Sequence, residues 1–418
     1  MKNIVEGHRA ERDLIQKAVY VPRDGLSAAR KSMQSRLIKV ITGPRRAGKS
    51  VFAAQMLRGL NYAYLNFDDE RLVGLTDYDD LLKAVTQVYG RTKLLFFDEI
   101  QNLPNWELFV NRLQRTGFEI VLTGSNAQLL SRELATHLTG RYIPFQVLPF
   151  SFAEFLRARG FPPDDPIPPK QRHGLLLHHL NEYVATGGYP EVVVQGVDLH
   201  NYLATLFESI LFKDIVRRHG VRHPTKLHDL GLYLLTNHSR DFTYTSLKNA
   251  LNFSSVHTVE NYASYLEEAF LFFAVDRYST KVKEQMRSSK KAYAYDSGMI
   301  NAVKFKTSPD TGRLIENLVA VELIRRGKEF YYYRTPDGKE VDFAVRDRLK
   351  VSALMQVCHE VGDRKTARRE MSAILKASKE TGCRQLRVLT WDTEKKESAE
   401  GKKVVYVPLW KWLLDEHD

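Results

Sequence analysis

Residues 37–50 of the chain read LIKVITGPRRAGKS, an apolar strand pattern that runs directly into the spacing G-x-x-x-x-G-K-S. In such a loop the two glycines let the backbone close around phosphate groups, and the lysine places a positive charge beside them. The serine hydroxyl suits Mg²⁺, and a helix that begins at the lysine adds its dipole. The stretch therefore predicts an α/β fold with a nucleotide-triphosphate loop formed by Gly43, Pro44, Arg45, Arg46, Ala47, Gly48, Lys49, Ser50 and Val51.

A second motif supports the same chemistry. Residues 94–99 read LLFFDE, a buried-strand pattern that ends in two acids. We expect Asp98 to hold Mg²⁺ together with Ser50, and Glu99 to polarise the attacking water. An isolated loop motif can arise by chance, but the paired acids after four apolar residues make that explanation weaker. The two motifs together predict Mg²⁺-dependent hydrolysis of ATP, with Lys49 stabilising the phosphate charge.

Composition narrows the class of protein. With 418 residues, 43% hydrophobic and 27% charged, the chain is typical of a soluble protein of two or three domains. Its apolar runs are shorter than the ~20 residues of a membrane span, and its amino terminus lacks the pattern of a secretion signal. The two cysteines, Cys358 and Cys383, suit a reducing compartment. We therefore expect a cytoplasmic protein that does not cross a membrane.

The charge of the chain suggests a polyanionic partner. The formal net charge is +12, and residues 281–350 hold 16 Lys and Arg against 10 Asp and Glu, which is half of the excess. A basic stretch of this kind is typical of nucleic-acid binding, although many basic proteins are merely soluble. Charge alone therefore favours a nucleic-acid partner and a merely soluble basic protein about equally.

Strand and helix patterns alternate through the first part of the chain. Strands are predicted over 37–42, 62–66, 94–98, 119–123 and 142–147, with helices between them, which favours a mainly parallel sheet covered on both faces. Helical patterns then dominate, followed by a mixed α/β region in which residues 392–402 are polar enough for a mobile loop. The predicted domains are a P-loop ATPase core (1–150), a helical lid (151–222), a winged helix (223–285) and a C-terminal α/β domain (286–418).

Two further positions in the core carry alternative interpretations. Ser125 and Asn126 follow the fourth strand, where a small polar residue can orient water or sense the γ-phosphate, but a plain turn has the same spacing. Arg141 follows a glycine helix stop. It could reach a neighbouring subunit's γ-phosphate, or it could be an ordinary surface arginine, which the spacing alone favours.

The predicted winged helix offers a candidate contact surface. Ser255 can cap its third helix, and Thr258, Asn261 and Ser264 would lie on the outward face of that helix. Residues 201–280 balance at eight acids and eight bases, however, and winged helices also dock proteins. Both DNA and a protein partner remain open for this unit.

The C-terminal region contains an incomplete nuclease-like set of residues. Glu316, Asp342 and Gln356 stand where a metal-dependent nuclease needs converging carboxylates, but glutamine brings no charge to a metal. Cys358 stands where the lysine belongs, and Lys339 is the only nearby replacement that the sequence suggests. Asp342 is a ligand of a weak nuclease, a relic in a nucleic-acid-binding scaffold, or a strand-edge acid paired with basic neighbours.

With these residues in place, about 9–415 of the chain resembles archaeal and bacterial ATP-binding proteins that join an AAA-type ATPase core, a winged helix and a restriction-endonuclease-like domain. The stretches that carry the resemblance are Gly43–Ser50, Asp98–Gln101, Leu122–Ser125, Gly140–Arg141, Pro149–Phe155, Gly187–Glu191 and Glu340–Phe343.

The resemblance implies that Arg141 is an arginine finger and that Ser125 or Asn126 is the sensor. Gln356 and Cys358 depart from the pattern of the endonuclease-like domain, so the resemblance implies a degenerate site of the PD-(D/E)xK type, without cleavage. We expect an ATPase coupled to DNA. Its oligomeric state stays open, and a homo-oligomer is one alternative. The alternative is a slow nucleotide switch of the STAND type that docks a protein through the winged helix or the C-terminal domain.

Overall fold

The computed structural model describes residues 1–125, 140–161, 167–304, 310–359 and 364–415. The chain divides into two units, Met1–Phe150 with Glu268–Phe270, and Ser151–Glu267 with Leu271–Asp418. Asn126 lies outside the described residues.

The first unit contains a five-stranded sheet in which every neighbouring pair is parallel. Its strands lie in the order β2-β3-β4-β1-β5, so β4 separates the strand before the phosphate loop from the strand that ends in Asp98. This confirms the predicted mainly parallel sheet of a P-loop fold. The strands are β1 (Ile38–Thr42), β2 (Ala63–Asn66), β3 (Leu94–Asp98), β4 (Glu119–Gly124) and β5 (Tyr142–Gln146).

Helices cover both faces of this sheet, which explains why its strands are almost continuously apolar. Side chains alternate between the two faces, so Val40 and Phe97 join one core and Ile41 and Phe96 join the other. The helices are α1 (Lys2–Lys17), α2 (Leu26–Ser32), α3 (Lys49–Met56), α4 (Tyr78–Tyr89) and α5 (Trp106–Arg115), with short 3-10 turns over Glu70–Leu72 and Ile100–Asn102.

The second unit begins with helices. Ser151 and Glu154 form a reciprocal capping box at the start of the first of them, which fixes where the chain turns into a helix. The elements are α6 (Phe152–Ala158), α7 (Pro169–Thr186), α8 (Pro190–Gln195), α9 (Leu199–Ser209), a π-helical segment (Ile210–Val216) and α10 (Arg217–His219).

Four helices and a small antiparallel sheet follow. The strands lie in the order β6-β8-β7. Strand β8 lies beyond residue 285, the predicted end of the winged helix. The elements are α11 (Pro224–Thr236), β6 (Arg240–Phe242), α12 (Tyr244–Ala250), α13 (Val256–Glu268), β7 (Phe272–Asp276), α14 (Val282–Arg287) and β8 (Lys290–Ala294).

A six-stranded mixed sheet, in the order β13-β14-β12-β11-β10-β9, completes the second unit. Its elements are α15 (Ser297–Val303), α16 (Thr311–Arg325), β9 (Glu329–Arg334), β10 (Glu340–Asp347), β11 (Lys350–Cys358), α17 (Arg364–Thr381), β12 (Leu386–Thr390), β13 (Lys395–Ala399), β14 (Lys402–Pro408) and α18 (Leu409–Leu414).

The prediction of a mobile loop over 392–402 was wrong. Residues 395–399 form β13, which pairs with β14 across the two-residue turn Glu400-Gly401. Both turn residues have positive φ, as a tight hairpin requires. A polar edge strand is held by backbone hydrogen bonds and gives little hydrophobic signal in the sequence.

Candidate active site

The phosphate loop joins β1 to α3, and its backbone conformation accounts for its glycines. A Cβ on Gly43 would lie 1.9 Å from the carbonyl oxygen of Val147, and Gly43 has a φ of 150°. Arg46 and Gly48 are in left-handed conformations, with φ of 66° and 89°. The helix that starts at Lys49 has no side-chain cap, so the amide groups of its first turn face the loop. This arrangement fits a bound phosphate chain.

The Lys49 side chain is buried beside the loop. Its Nζ donates to the carbonyl oxygen of Pro44 at 3.1 Å and lies 3.6 Å from Glu99 Oε1. Only 4% of this side chain is exposed, so the ammonium is held in place by the fold. A charge restrained in this way loses little entropy when it meets a phosphate group.

Asp98 lies at the carboxyl end of β3 among three hydroxyl groups. Ser50 Oγ donates to Asp98 Oδ1 at 2.9 Å, Thr123 Oγ1 donates to the same oxygen, and Tyr64 Oη lies 3.2 Å from Oδ2. Burial and the neighbouring Glu99 raise the pKa of Asp98 to about 6. A buried carboxylate beside a serine hydroxyl is a suitable pair of oxygen ligands for Mg²⁺.

Glu99 is held in a left-handed conformation with a φ of 51°, which is costly for a residue that has a Cβ. Its amide donates to Thr123 Oγ1 at 3.0 Å, and Gln101 Nε2 donates to its carboxylate. Burial raises the pKa of Glu99, but Lys49, Gln101 and Arg45 together outweigh that effect, so its pKa lies below the ordinary value. The carboxylate is therefore ionised, as a proton acceptor must be.

Ser125 lies beside these acids at the end of β4. The Gln101 amide that contacts Glu99 also lies 3.4 Å from Ser125 Oγ, and the serine side chain is buried. The sensor role of Ser125 stays a prediction.

Arg141 lies at the amino ends of the strands, opposite to the end at which the phosphate loop lies. Its carbonyl oxygen accepts a hydrogen bond from Ile38 at the start of β1, whereas the phosphate loop follows Thr42 at the end of that strand. The two ends of this five-residue strand are about 16 Å apart. Arg141 Nη1 instead contacts Asn111 Oδ1 at 3.3 Å. This position is unfavourable for a finger at the site of its own chain, and the finger role of Arg141 stays a prediction.

The structure adds two residues to which the sequence analysis assigned no role. Thr123 links both acids, because its hydroxyl donates to Asp98 and accepts the amide of Glu99. The Tyr64 hydroxyl lies 3.2 Å from Asp98 Oδ2 and 3.1 Å from Glu11 Oε1, and can donate to one of them at a time. The available signal for Thr123 was its position at the end of β4, the strand between the two strands that lead into the sequence motifs.

Replacement of Thr123 by valine should slow ATP hydrolysis about tenfold, because it leaves the amide of Glu99 without its acceptor and removes one of the hydroxyl donors to Asp98. The matched control is Thr123→Ser, which keeps the hydroxyl and should stay near the wild-type rate. Steady-state turnover at saturating Mg²⁺ measures both. Equal rates for the valine variant and wild type would remove Thr123 from the site.

A second cluster contains two of the predicted nuclease-like residues. Lys291 Nζ lies 2.9 Å from Glu316 Oε1 and 3.8 Å from Asp342 Oδ1, and no motif in the sequence marks this lysine. Gln356 Oε1 has no hydrogen-bond partner among the described residues. Lys339, which the sequence had suggested, donates to Ser372 Oγ at 2.7 Å instead of approaching the acids.

The predicted DNA-contact residues lie along one side of α13. Thr258 and Asn261 are half-buried and Ser264 is exposed, whereas Val259 and Leu266 on the opposite side are buried. The amide of His257 donates to Ser255 Oγ at 3.2 Å, which places Ser255 at the start of the helix as expected.

In the described part of the chain, no helix is both long and apolar enough to cross a bilayer.

Comparison with known proteins identifies the family. Over 404 residues the chain is 35% identical to the uncharacterized protein MJ1544 of Methanocaldococcus jannaschii, covering 90% of this chain and 88% of that protein. A family model described as an AAA domain matches residues 35–156, the region that contains the phosphate loop and both acids. The chain belongs to the same family as this archaeal protein, and its first unit contains an AAA-type P-loop ATPase domain. Two models described as domains of unknown function, DUF8612 and DUF4143, match residues 177–310 and 311–412 of this ATPase.

The ATPase is also similar to an uncharacterized protein of Haemophilus influenzae, with 33% identity over 342 residues that cover 78% of this chain and 83% of the relative. Among solved structures, it is similar to the Walker-type ATPase PABY2304 of Pyrococcus abyssi. That match has 14% identity and a TM-score of 0.45, and it covers 68% of this chain and 96% of the other.

Proposed function

We propose that this ATPase hydrolyses ATP at the edge of the five-stranded sheet where the carboxyl ends of its strands lie. We propose further that its second unit couples turnover to DNA binding. The observation that supports hydrolysis is the meeting of Lys49, Ser50, Asp98 and Glu99 at that edge, with contacts of 2.9 Å between Ser50 and Asp98 and 3.6 Å between Lys49 and Glu99. These are the groups that phosphoryl transfer to water needs.

Each residue has one task in this proposal. The loop amides and Lys49 hold the phosphates, and Ser50 and Asp98 hold Mg²⁺, which when bound neutralises charge on the transferred group. Glu99 accepts a proton from the attacking water, and its ionised state suits that task. Ser125 reports the presence of the terminal phosphate through its contact with Gln101.

The proposed architecture of the second unit is a lid, a winged helix and a nuclease-like domain. Helices α11, α12 and α13 followed by the β7–β8 hairpin have the order of a helix-turn-helix with a wing. The six-stranded sheet with α16 and α17 would then be the nuclease-like domain, used for binding and without cleavage.

Charge supports contact between this region and DNA. The segment between β7 and β8 is the proposed wing, and it exposes Lys283 and Arg287. The outward side of α13 is polar and uncharged at Thr258, Asn261 and Ser264, apart from nearby Glu260. We propose that the wing contacts phosphates and that α13 contacts base edges.

The test is steady-state ATP hydrolysis with no nucleic acid, single strands, duplex and four-way junctions, each at low and physiological salt. We expect one DNA form to increase turnover severalfold, with an increase that falls steeply as salt rises. A double variant, Lys283→Gln with Arg287→Gln, should lose this stimulation, whereas Lys83→Gln on α4 should keep it. A slow rate that no DNA changes, with ADP retained through purification, would contradict DNA coupling and favour the nucleotide switch.

A further inference from the structure

Lys291 on β8 ends among three carboxylates. Its Nζ lies 2.9 Å from Glu316 Oε1, 2.5 Å from Glu340 Oε1 and 3.8 Å from Asp342 Oδ1. Only 3% of the lysine side chain is exposed. A buried ammonium is costly unless opposite charges surround it, and here they come from α16 and β10.

The remaining contacts of these acids are also made by the protein. Tyr293 Oη donates to Glu316 Oε1 at 2.7 Å, and the amide of Val357 donates to Asp342 Oδ2 at 2.8 Å. Arg334 Nη2 lies 2.6 Å from Glu340 Oε2 and 2.7 Å from Asp241 Oδ2. The cluster therefore joins β6 and β8 of the three-stranded sheet to α16, β9 and β10.

Electrostatics keep the lysine charged. Burial lowers the pKa of Lys291, but Glu316, Asp342 and Glu340 outweigh that effect, so its pKa lies above the ordinary value. Burial raises the pKa of Glu316, and burial together with Glu316 raises the pKa of Asp342. The two acids thus retain a proton more readily than free carboxyl groups, which reduces the excess of negative charge.

We propose that the Lys291 ammonium is the resident cation of this cluster, in the place that a divalent metal would need between Glu316 and Asp342. Oxygen ligands must approach Mg²⁺ to about 2.1 Å, and a second cation cannot share them with a buried ammonium without strong repulsion. The cluster is then a metal-independent junction between the two sheets. The junction does not depend on whether the chain binds DNA.

Backbone contacts beside the cluster join the same two sheets. Tyr278, just after β7, donates its amide to the carbonyl oxygen of Tyr332 on β9 at 2.8 Å, and Arg277 forms an isolated bridge with Tyr332. Arg277 Nη2 also donates to the carbonyl oxygen of Arg334 at 2.9 Å. With Lys291 at its centre, this junction makes the three-stranded and six-stranded sheets move together.

The experiment compares thermal unfolding and Mn²⁺ binding of the full chain without nucleotide, in a Ser50→Ala background that removes one of the two proposed Mg²⁺ ligands beside the phosphate loop. We expect millimolar Mn²⁺ to leave the reference protein unchanged. Lys291→Met should lower its Tm by about 10 °C, because three acids lose their counter-ion. Mn²⁺ should then bind Lys291→Met at one saturable site and recover part of that loss, and adding Asp342→Asn should abolish the site.

Two controls separate this role from general damage. Lys290→Met removes the neighbouring lysine, which pairs with the half-buried Asp276, and should neither lower the Tm comparably nor bind Mn²⁺. Lys291→Arg keeps the charge and should fold even if Lys291→Met does not. The proposal is overturned if the reference protein binds Mn²⁺ at a site that Asp342→Asn removes. It is equally overturned if folded Lys291→Met keeps the reference Tm or gains no Mn²⁺ site.

Discussion

Replacement of Lys49 by alanine is expected to abolish the binding of ATP at any practical concentration. The side chain is buried against the loop, with its Nζ 3.1 Å from the carbonyl oxygen of Pro44, so alanine removes a positive charge that the fold holds beside the phosphate site. Loss of a charge-assisted phosphate contact should weaken binding at least ~100-fold, or about 2.7 kcal/mol. Titration of a fluorescent ATP analogue measures the effect directly.

The matched control is Lys83→Ala, which removes an exposed lysine of α4 and should bind the analogue like wild type. The same Lys49→Ala protein also tests the subunit role of Arg141. If Arg141 acts on a neighbouring subunit, mixing Arg141→Ala with Lys49→Ala protein should restore some hydrolysis. Wild-type affinity in Lys49→Ala would show that the phosphate-loop assignment is wrong, and no recovery at any mixing ratio would argue against the finger.

Replacement of Glu99 by glutamine is expected to preserve ATP binding and to slow turnover ~10²-fold or more. Glutamine keeps the shape of the side chain and the contact with Gln101, but its amide cannot accept a proton from water. Glu99 lies 3.6 Å from Lys49, so the neutral glutamine removes a negative charge that pairs with the lysine. The Lys49 ammonium can then pair with phosphate alone, and ATP binding should not weaken. Single-turnover hydrolysis and analogue binding, measured on the same preparation, separate the two effects.

Glu70→Gln makes the same isosteric change at an exposed position of the first unit and should leave both binding and turnover near wild type. Near-normal hydrolysis by Glu99→Gln would remove Glu99 from the proton-accepting role. In that case Asp98, which already has a raised pKa, would be the next acid to test.

The core of the fold could be predicted closely because both faces of its sheet are buried. Strands such as Leu94–Asp98 are apolar almost throughout, and the glycines of the loop are required by local backbone geometry, so both signals lie in contiguous residues. The predicted strand bounds differ from the observed ones by one residue or less. The edge strand β13 escaped prediction because its polar side chains have no such pattern.

The contacts that assemble the sites come from residues far apart in the chain. Thr123 contacts Asp98 across 25 positions, and Lys291 contacts Asp342 across 51. Neither pair has a local spacing that periodicity could reveal, because strand order decides which residues become neighbours. Arg141 likewise lies beside Ile38 at the start of β1, whereas the phosphate loop follows the end of that strand.

The sequence by itself determined the chemistry available to this protein: a phosphate loop after a buried strand, paired acids after another, and a nuclease-like set that lacks a carboxylate and a lysine. Those properties depend on residue type and local backbone, which short stretches of chain encode. Only the tertiary structure decided that Thr123 joins the two acids and that the ammonium of Lys291 lies among Glu316, Glu340 and Asp342. Packing of strands and helices that are distant in the chain brings those groups within hydrogen-bond or ion-pair distance, and burial then influences their charge.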